Sequence, residues 1–525
     1  MNKLMHRDAL YKGLLPLILC LALTVSLAGH VSGAEQMGAG FQVRGFHLDL
    51  RVQVMKMPAL RAFAHQLSEN GINTLIMEWE ASYPYQQHQV ISNRYAYSRE
   101  EVKSFVAYCD SLGIDVIPLQ QSFGHVEYIL RHYRYRDLRE DQKDFSQVNP
   151  LKEDLCKALF TDLYRDLIET HTSDYIHIGG DETYLLGHSK ESQEKIARVG
   201  RGRLYGDYLK MLCELVVSLG KRPIVWADIA LKYPDAFRDL PKETVFVDWN
   251  YGWPLDRFGD HRQLVESGYE VWGAPSIRSH PDNYFLADWN KHFLNIQSFV
   301  PQARELGYKG IVMTSWSTSG IYSPVFESSS DIIDLPAIRR VYPLTGFNLL
   351  VAAYFESLRS ADALDINKFV HTYTRETYGF DDAAADVFWR ALTMTPYEVT
   401  QGRVSHPGMT VSALRDSAML ASNLFRQLKP SKNQDEFAHY LLMSDIRTFY
   451  LECMAVEYQL NLPDLGGATP GELADRLRRL HPEELDKRFI DLQKHAFYLS
   501  ELNLENELRN ARLKSLLAKL EKVTD

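Results

Sequence analysis

A chain of 525 residues, 45% hydrophobic and 24% charged, is too long for one small domain and too apolar for wholesale disorder. Its formal net charge of −10, with acids and bases interspersed and no basic stripe, argues against a nucleic-acid partner. Aromatic residues make up 12%, including 8 Trp and 29 Tyr, enough to line a site for sugar rings as well as fill a core.

Lys3, Arg7 and Lys12 precede the apolar run 14–23, and Ser32 and Ala34 stand at the −3 and −1 positions of a cleavage site. This pattern predicts a secretory signal peptide over 1–34, hence a secreted, periplasmic or cell-envelope protein; an uncleaved anchor is the alternative. No later run is long and apolar enough to span a bilayer. Cys109, Cys156, Cys213 and Cys453 lie far apart without a CxxC pair, which disfavours a zinc cluster and leaves buried thiols, with one unassigned disulfide as the other option.

From residue 41, eight short apolar runs alternate with helical patterns: 44–50, 74–80, 115–121, 175–181, 222–229, 244–251, 270–277 and 309–317. Helical spacing is clearest over 58–68, 101–112, 151–170, 204–219 and 297–306. Eight such units predict an α/β fold, a (β/α)8 TIM barrel over 41–344. An open doubly wound sheet is the competing architecture, weakened because no GxGxxG loop follows the first strand. Beyond 345 the strand-like runs vanish. Segments 349–358, 382–392, 412–427, 435–460 and 470–522 read as helices, predicting an α-helical C-terminal domain over 345–525 that packs on the barrel or serves as a homodimerisation element.

Active sites of such barrels sit at the carboxyl ends of the strands. The fourth run, Tyr175-Ile176-His177-Ile178-Gly179-Gly180-Asp181-Glu182-Thr183, ends in two glycines and two carboxylates. Adjacent strand residues point to opposite faces, so Asp181 and Glu182 share a pocket only if the chain twists, which glycine permits. Two carboxylates in one pocket supply both an acid and a charge stabiliser, the requirement for cleaving a glycosidic bond. The other strand ends contribute His47, Asp49 and Arg51; Glu78, Trp79 and Glu80; His125; Trp226 and Asp228; Trp249 and Tyr251; Trp272 and Arg278; and Thr314 and Trp316. One ring of loops would gather these tryptophans and acids into a saccharide pocket. The alternative for His125, and the stronger reading for His177, is a hydrogen-bonded structural histidine.

His177-Ile178-Gly179-Gly180-Asp181-Glu182 resembles the signature of family 20 glycoside hydrolases, the β-N-acetylhexosaminidases. Arg44-Gly45-Phe46-His47-Leu48-Asp49 resembles the family's first strand, and Phe123-Gly124-His125 its Pro-Gly-His motif. The stretches 78–85, 121–125 and 181–187 are similar to those of the hexosaminidase D subgroup. The resemblance implies a retaining, exo-acting enzyme for terminal β-linked GlcNAc or GalNAc, without cofactor or metal. Glu182 would be the general acid and base. Asp181 would hold the substrate's 2-acetamido group, whose carbonyl oxygen forms an oxazolinium. Arg44 would bind the 3- and 4-hydroxyls, and Trp226, Trp249 and Trp316 would wall the sugar. Glu80, His125, Asp228 and Tyr251 complete the expected substrate contacts. A glutamate facing Trp and a second acid is expected to have a raised pKa. Thr318 stands where the family often has an acid, and Asp282 and Tyr284 are uncertain matches to its strand-seven Tyr–Asp pair. Two other readings compete: a catalytically inactive carbohydrate-binding envelope protein, and a metal-dependent hydrolase using His47, Asp49, His177 and Asp181, which lacks a second paired-histidine motif.

Overall fold

The computed structural model describes residues 40–51, 54–237, 239–279, 282–316 and 343–524; the expected signal segment and Thr318 lie outside them. Among the described residues nine strands form one sheet: β1 (Val43–Asp49), β2 (Thr74–Glu78), β3 (Asp115–Leu119), β4 (Tyr175–His177), β5 (Arg222–Trp226), β6 (Val245–Trp249), β7 (Glu270–Ala274), β8 (Ser276–Arg278) and β9 (Gly310–Ser315). Neighbours pair in parallel in chain order, and β9 returns to pair with β1, so the sheet closes into the expected barrel and the open-sheet alternative falls. The seventh run is split in two. β7 pairs with the start of β9 and β8 with its end, on either side of Pro275, a residue without the N–H a continuous ladder needs.

The strands alternate as a barrel requires. Ile76, Ile224, Trp226, Val245 and Val247 fill the interior, while Leu75, Val225 and Phe246 face the helices. Burial on both faces is why these strands read as nearly unbroken apolar runs. The principal outer helices are α1 (Met57–Glu69), α2 (Arg99–Ser111), α3 (Glu153–Ile168), α4 (Lys190–Val199), α5 (Arg201–Ser218), α6 (His261–Glu266) and α7 (Trp289–Glu305). Ser98 and Glu101 close a capping box at the start of α2. Among the described residues Cys109, Cys156, Cys213 and Cys453 are buried free thiols. Among the described residues no helix is long and apolar enough to cross a membrane.

The helical region holds α8 (Asn348–Arg359), α9 (Ile366–Tyr378), α10 (Asp382–Thr393), α11 (Val411–Gln427), α12 (Gln434–Leu460), α13 (Pro470–Arg478), α14 (Pro482–Gln493) and α15 (Leu499–Thr524). The continuous pattern over 470–522 is thus three helices. The first break falls at His481, whose φ is 44°, immediately before Pro482. A two-residue hairpin, Val399–Thr400 with Arg403–Val404, and α9 were not expected.

This region packs on its own barrel. Lys56 N–H donates to Ala496 O at 2.7 Å, and the rings of Tyr95 and Tyr498 stack with centroids 5.2 Å apart. At the closure of the barrel the buried Tyr354 of α8 donates its hydroxyl to Gly45 O of β1 (2.8 Å) and Ile311 O of β9 (3.2 Å). The seam there is tight: a Cβ on Gly45 would lie 2.8 Å from a Val312 methyl. Tyr354→Phe removes the donor from two buried carbonyls and is expected to cost about 1 kcal/mol, read as a lowered midpoint in urea unfolding. An unchanged midpoint would show that the clamp contributes nothing to barrel closure.

Candidate active site

β4 ends at His177, and the chain then turns out of strand geometry. Gly179 and Gly180 take φ of 74° and 95°, and Glu182 follows at 46°. A Cβ on Gly179 would lie 1.9 Å from Gln121 Oε1, so no other residue fits there. His177 Nδ1 accepts the Gly179 N–H at 3.1 Å, a structural role that fixes the turn. Burial pushes His177 down to about 3, which keeps the ring neutral. The turn cancels strand alternation and brings both carboxylates to one imidazole. His125 Nε2 lies 3.3 Å from Asp181 Oδ2 and 3.5 Å from Glu182 Oε2. His125 comes from the end of β3 and reaches this point because Gly124 lies flat on the Asp181 carbonyl, 2.7 Å from where a Cβ would be. Glu80, His125 and Glu182 are three non-glycine residues with positive φ (46°, 55° and 46°). Such conformations cost about 1–3 kcal/mol each and collect at functional sites.

The electrostatics follow from this crowding. Burial opposes a charge on His125, but the Asp181 charge and hydrogen bonds to Asp181 and Glu182 prevail and hold the imidazole pKa well above its ordinary value. Burial likewise acts to raise Glu182, yet the hydrogen bond and charge of His125 and the Tyr184 hydroxyl at 2.7 Å prevail and lower it. The expected upward shift is therefore reversed in the free site, because a protonated imidazole and a phenol face this carboxylate rather than an acid alone. Asp228, at the end of β5, accepts the Glu182 N–H on Oδ2 at 3.2 Å; burial and the neighbouring Asp181 charge push it up to about 7.

Aromatic rings form the walls. Trp226 and Trp316 pack at 5.6 Å between centroids, Trp249 and Tyr251 at 5.0 Å, and Trp316 Nε1 donates to the Tyr251 hydroxyl at 2.7 Å. Asp181 Oδ1 and Trp226 Nε1 are buried without a partner among the described residues. Trp272 is not part of this wall. Its Nε1 donates to Glu270 at 2.8 Å and its ring meets Tyr175, both at the amino ends of their strands. Trp79 lies outside the barrel, bonded to His171.

Under the pocket lies a charged layer. Glu78 joins His47 (3.0 Å), Gln121 (3.0 Å) and Arg51 (3.2 Å), and Arg51 also reaches Glu80 (3.1 Å). Burial acts to raise Glu78, but His47 and Arg51 bring it down to about 2. Arg44, expected to bind sugar hydroxyls, is at the wrong end of β1. Its guanidinium donates to Gly71 O (2.8 Å) and Phe41 O (3.1 Å), five residues and roughly 16 Å of strand away from Asp49. Arg51 is the cation that strand one delivers to the carboxyl end, and strand direction alone would have selected it. Asp282 and Tyr284 also miss the pocket: Asp282 bonds His292 at 2.6 Å, and Tyr284 bonds His439 of α12 at 3.1 Å. Among the described residues no group of three or more His, Cys, Asp or Glu side chains is placed to hold a metal ion.

The site and barrel coincide with a known family. The model of the glycosyl hydrolase family 20 catalytic domain matches residues 41–322. The chain is 27% identical to hexosaminidase D of Bos taurus over 303 residues, covering 54% of this chain and 87% of that protein. It is 27% identical to hexosaminidase D of Homo sapiens over 349 residues, covering 62% and 70%. A solved structure of a beta-N-acetylhexosaminidase from Bacteroides fragilis NCTC 9343 aligns over 64% of this chain and 70% of that one, at 17% identity and a TM-score of 0.48. A family match over more than half of the chain, carrying every strand of the barrel and both adjacent carboxylates, makes this protein a glycoside hydrolase that belongs to glycosyl hydrolase family 20.

Proposed function

We propose that the protein is an exo-acting β-N-acetylhexosaminidase that releases terminal β-linked GlcNAc or GalNAc with retention, the substrate's own acetamido group acting as nucleophile. One observation carries this reading: Asp181 and Glu182 meet at one imidazole, and Asp181 keeps a buried oxygen unshared among the described residues. That oxygen suits the acetamido N–H, and the carboxylate stabilises the positive charge that develops as the acetamido oxygen bonds the anomeric carbon. Glu182 gives its proton to the departing glycosidic oxygen, then takes one from the water that opens the oxazolinium. This is the substrate-assisted exception to the two-carboxylate scheme. Glu182 must be protonated for the first step, and it is held low in the free site. Sugar entry, which excludes water from the pocket, acts in the required direction by desolvating the carboxylate. Trp226, Trp249, Tyr251 and Trp316 enclose a single ring, Arg51 with Glu80 replaces Arg44 as the charged group on the hydroxyl side, and residues 1–34 direct the enzyme out of the cytoplasm. The names of the hexosaminidase D relatives support the same substrate class.

Glu182→Gln should lower turnover of disaccharides by about 10²–10⁴-fold and should still bind a sugar-shaped inhibitor, measured by steady-state kinetics and calorimetry. Near-normal disaccharide rates in that variant would sink the acid assignment. A wild-type protein that binds such an inhibitor without turning over any glycoside would instead be the inactive carbohydrate-binding protein.

Asp181→Asn is expected to slow 2-acetamido glycosides by about 10²-fold or more. A panel of aryl glycosides with and without the 2-acetamido group, in both C4 epimers, checks this. Equal cleavage of plain glucosides and N-acetyl sugars by the wild type would exclude substrate assistance.

Asp228 makes stability depend on pH. Its folded-state pKa of about 7 lies above the ordinary value of 3.8, so its contribution is fully present below about 4 and is lost as pH rises through 7. Asp228→Asn cannot ionise, and its melting temperature should gain on the wild type as pH rises across that window. Parallel melting curves from pH 4 to 8 would show that Asp228 ionises freely.

A further inference from the structure

Tyr184 is 73% exposed, yet its hydroxyl donates to Glu182 Oε1 at 2.7 Å. The backbone that carries it is fastened on both sides. Tyr184 N–H donates to Glu182 O at 2.7 Å, Leu185 N–H to Gln147 Oε1 at 3.0 Å, and Gly187 N–H to the buried Glu140 at 3.0 Å. A bare aromatic ring on an anchored loop has a defined position and a solvent-facing surface. The two donors to the acid stand on different sides of it. His125 approaches Oε2 from the buried side it shares with Asp181, and Tyr184 holds Oε1 from the open side. A sugar bound against Asp181, Trp226 and Trp316 has its glycosidic oxygen at Glu182, so the leaving group extends past the acid towards solvent, where Tyr184 lies.

From this geometry, and resting on the hydrolase mechanism proposed above, we infer that Tyr184 forms the subsite for a leaving-group sugar. Its ring packs on the apolar face of that sugar, while its hydroxyl positions Glu182 and stabilises the carboxylate left after proton transfer. Tyr184 is a positioning residue with two separable parts, ring and hydroxyl. Although the ring is exposed, desolvation of the hydroxyl where it meets the site, with the hydrogen bond to Glu182 and its charge, raises the phenol's own pKa, so the hydroxyl stays a donor throughout the working pH range.

The test uses the full-length enzyme with a β-linked GlcNAc disaccharide and the 4-nitrophenyl β-glycoside of GlcNAc. Tyr184→Phe keeps the ring and removes a donor to the ionised acid, so the Glu182 pKa rises. Activity on the disaccharide falls once Glu182 loses its proton, so the alkaline limb of its kcat/KM profile should move to higher pH. The ratio of disaccharide to aryl-glycoside kcat/KM, taken at the plateau, should fall slightly, because the aryl leaving group depends less on the acid. Tyr184→Ala should show the same limb shift and an additional fall of about tenfold in that ratio, the size expected for losing one ring–sugar contact. An unmoved limb in Tyr184→Phe, or an unchanged ratio in Tyr184→Ala, overturns the inference while leaving the hydrolase assignment intact. Wild-type protein inert on both substrates and on their GalNAc counterparts overturns the N-acetylhexosaminidase reading and this inference with it.

Discussion

The catalytic end of the barrel depends on one steric constraint, the left-handed turn at Gly179 and Gly180 against the side chain of Gln121. Without it, Asp181 and Glu182 would point to opposite faces of β4, one into the barrel and one into the helical layer. With it, both carboxylates lie within 3.5 Å of one imidazole. Gln121 and Gly124 flank this turn from the end of β3, so the site is a joint between two neighbouring strand ends. Strain at Glu182 and His125 is the expense of that joint, and the dense buried hydrogen bonding around it maintains the geometry.

A second layer extends this logic. Glu78 sits at the centre of a buried set formed by His47, Gln121 and Arg51, and Gln121 is also the residue that makes Gly179 obligatory. The residue that restricts the turn is therefore held by a carboxylate whose charge is itself held by Arg51 and His47. A change in Arg51 would be felt through Glu78 and Gln121 at the Asp181–Glu182 turn, as well as at any ligand Arg51 touches. This coupling runs through direct hydrogen bonds rather than through distant packing.

The barrel was legible because strands buried on both faces leave continuous apolar runs, and the strand-end rule located most of the pocket from sequence alone. It failed where position along the strand was ignored. Arg44 precedes the buried core of β1, Arg51 follows it, and only the latter reaches the carboxyl end. Trp272 fails for the same reason. The direction of the Glu182 shift could not be read, because it depends on which side chains lie within hydrogen-bond distance. His125 is far off in the chain, and the nearby Tyr184 could equally have turned away. In the helical region, Pro482 marked a break that uniform helical periodicity concealed, and α9 was announced by its caps, Asp365 and Gly379.

The tyrosine clamp on the first and last barrel strands has a consequence for the order of biosynthesis. Tyr354 is translated only after β9 is complete, and it lies beyond the segment that matches the family's catalytic domain. The seam, closed by the pairing of β1 with β9, therefore gains this added fastening only once the first helix of the following region has been made. A side chain from beyond the matched catalytic domain thus bonds both of the strands that close the barrel.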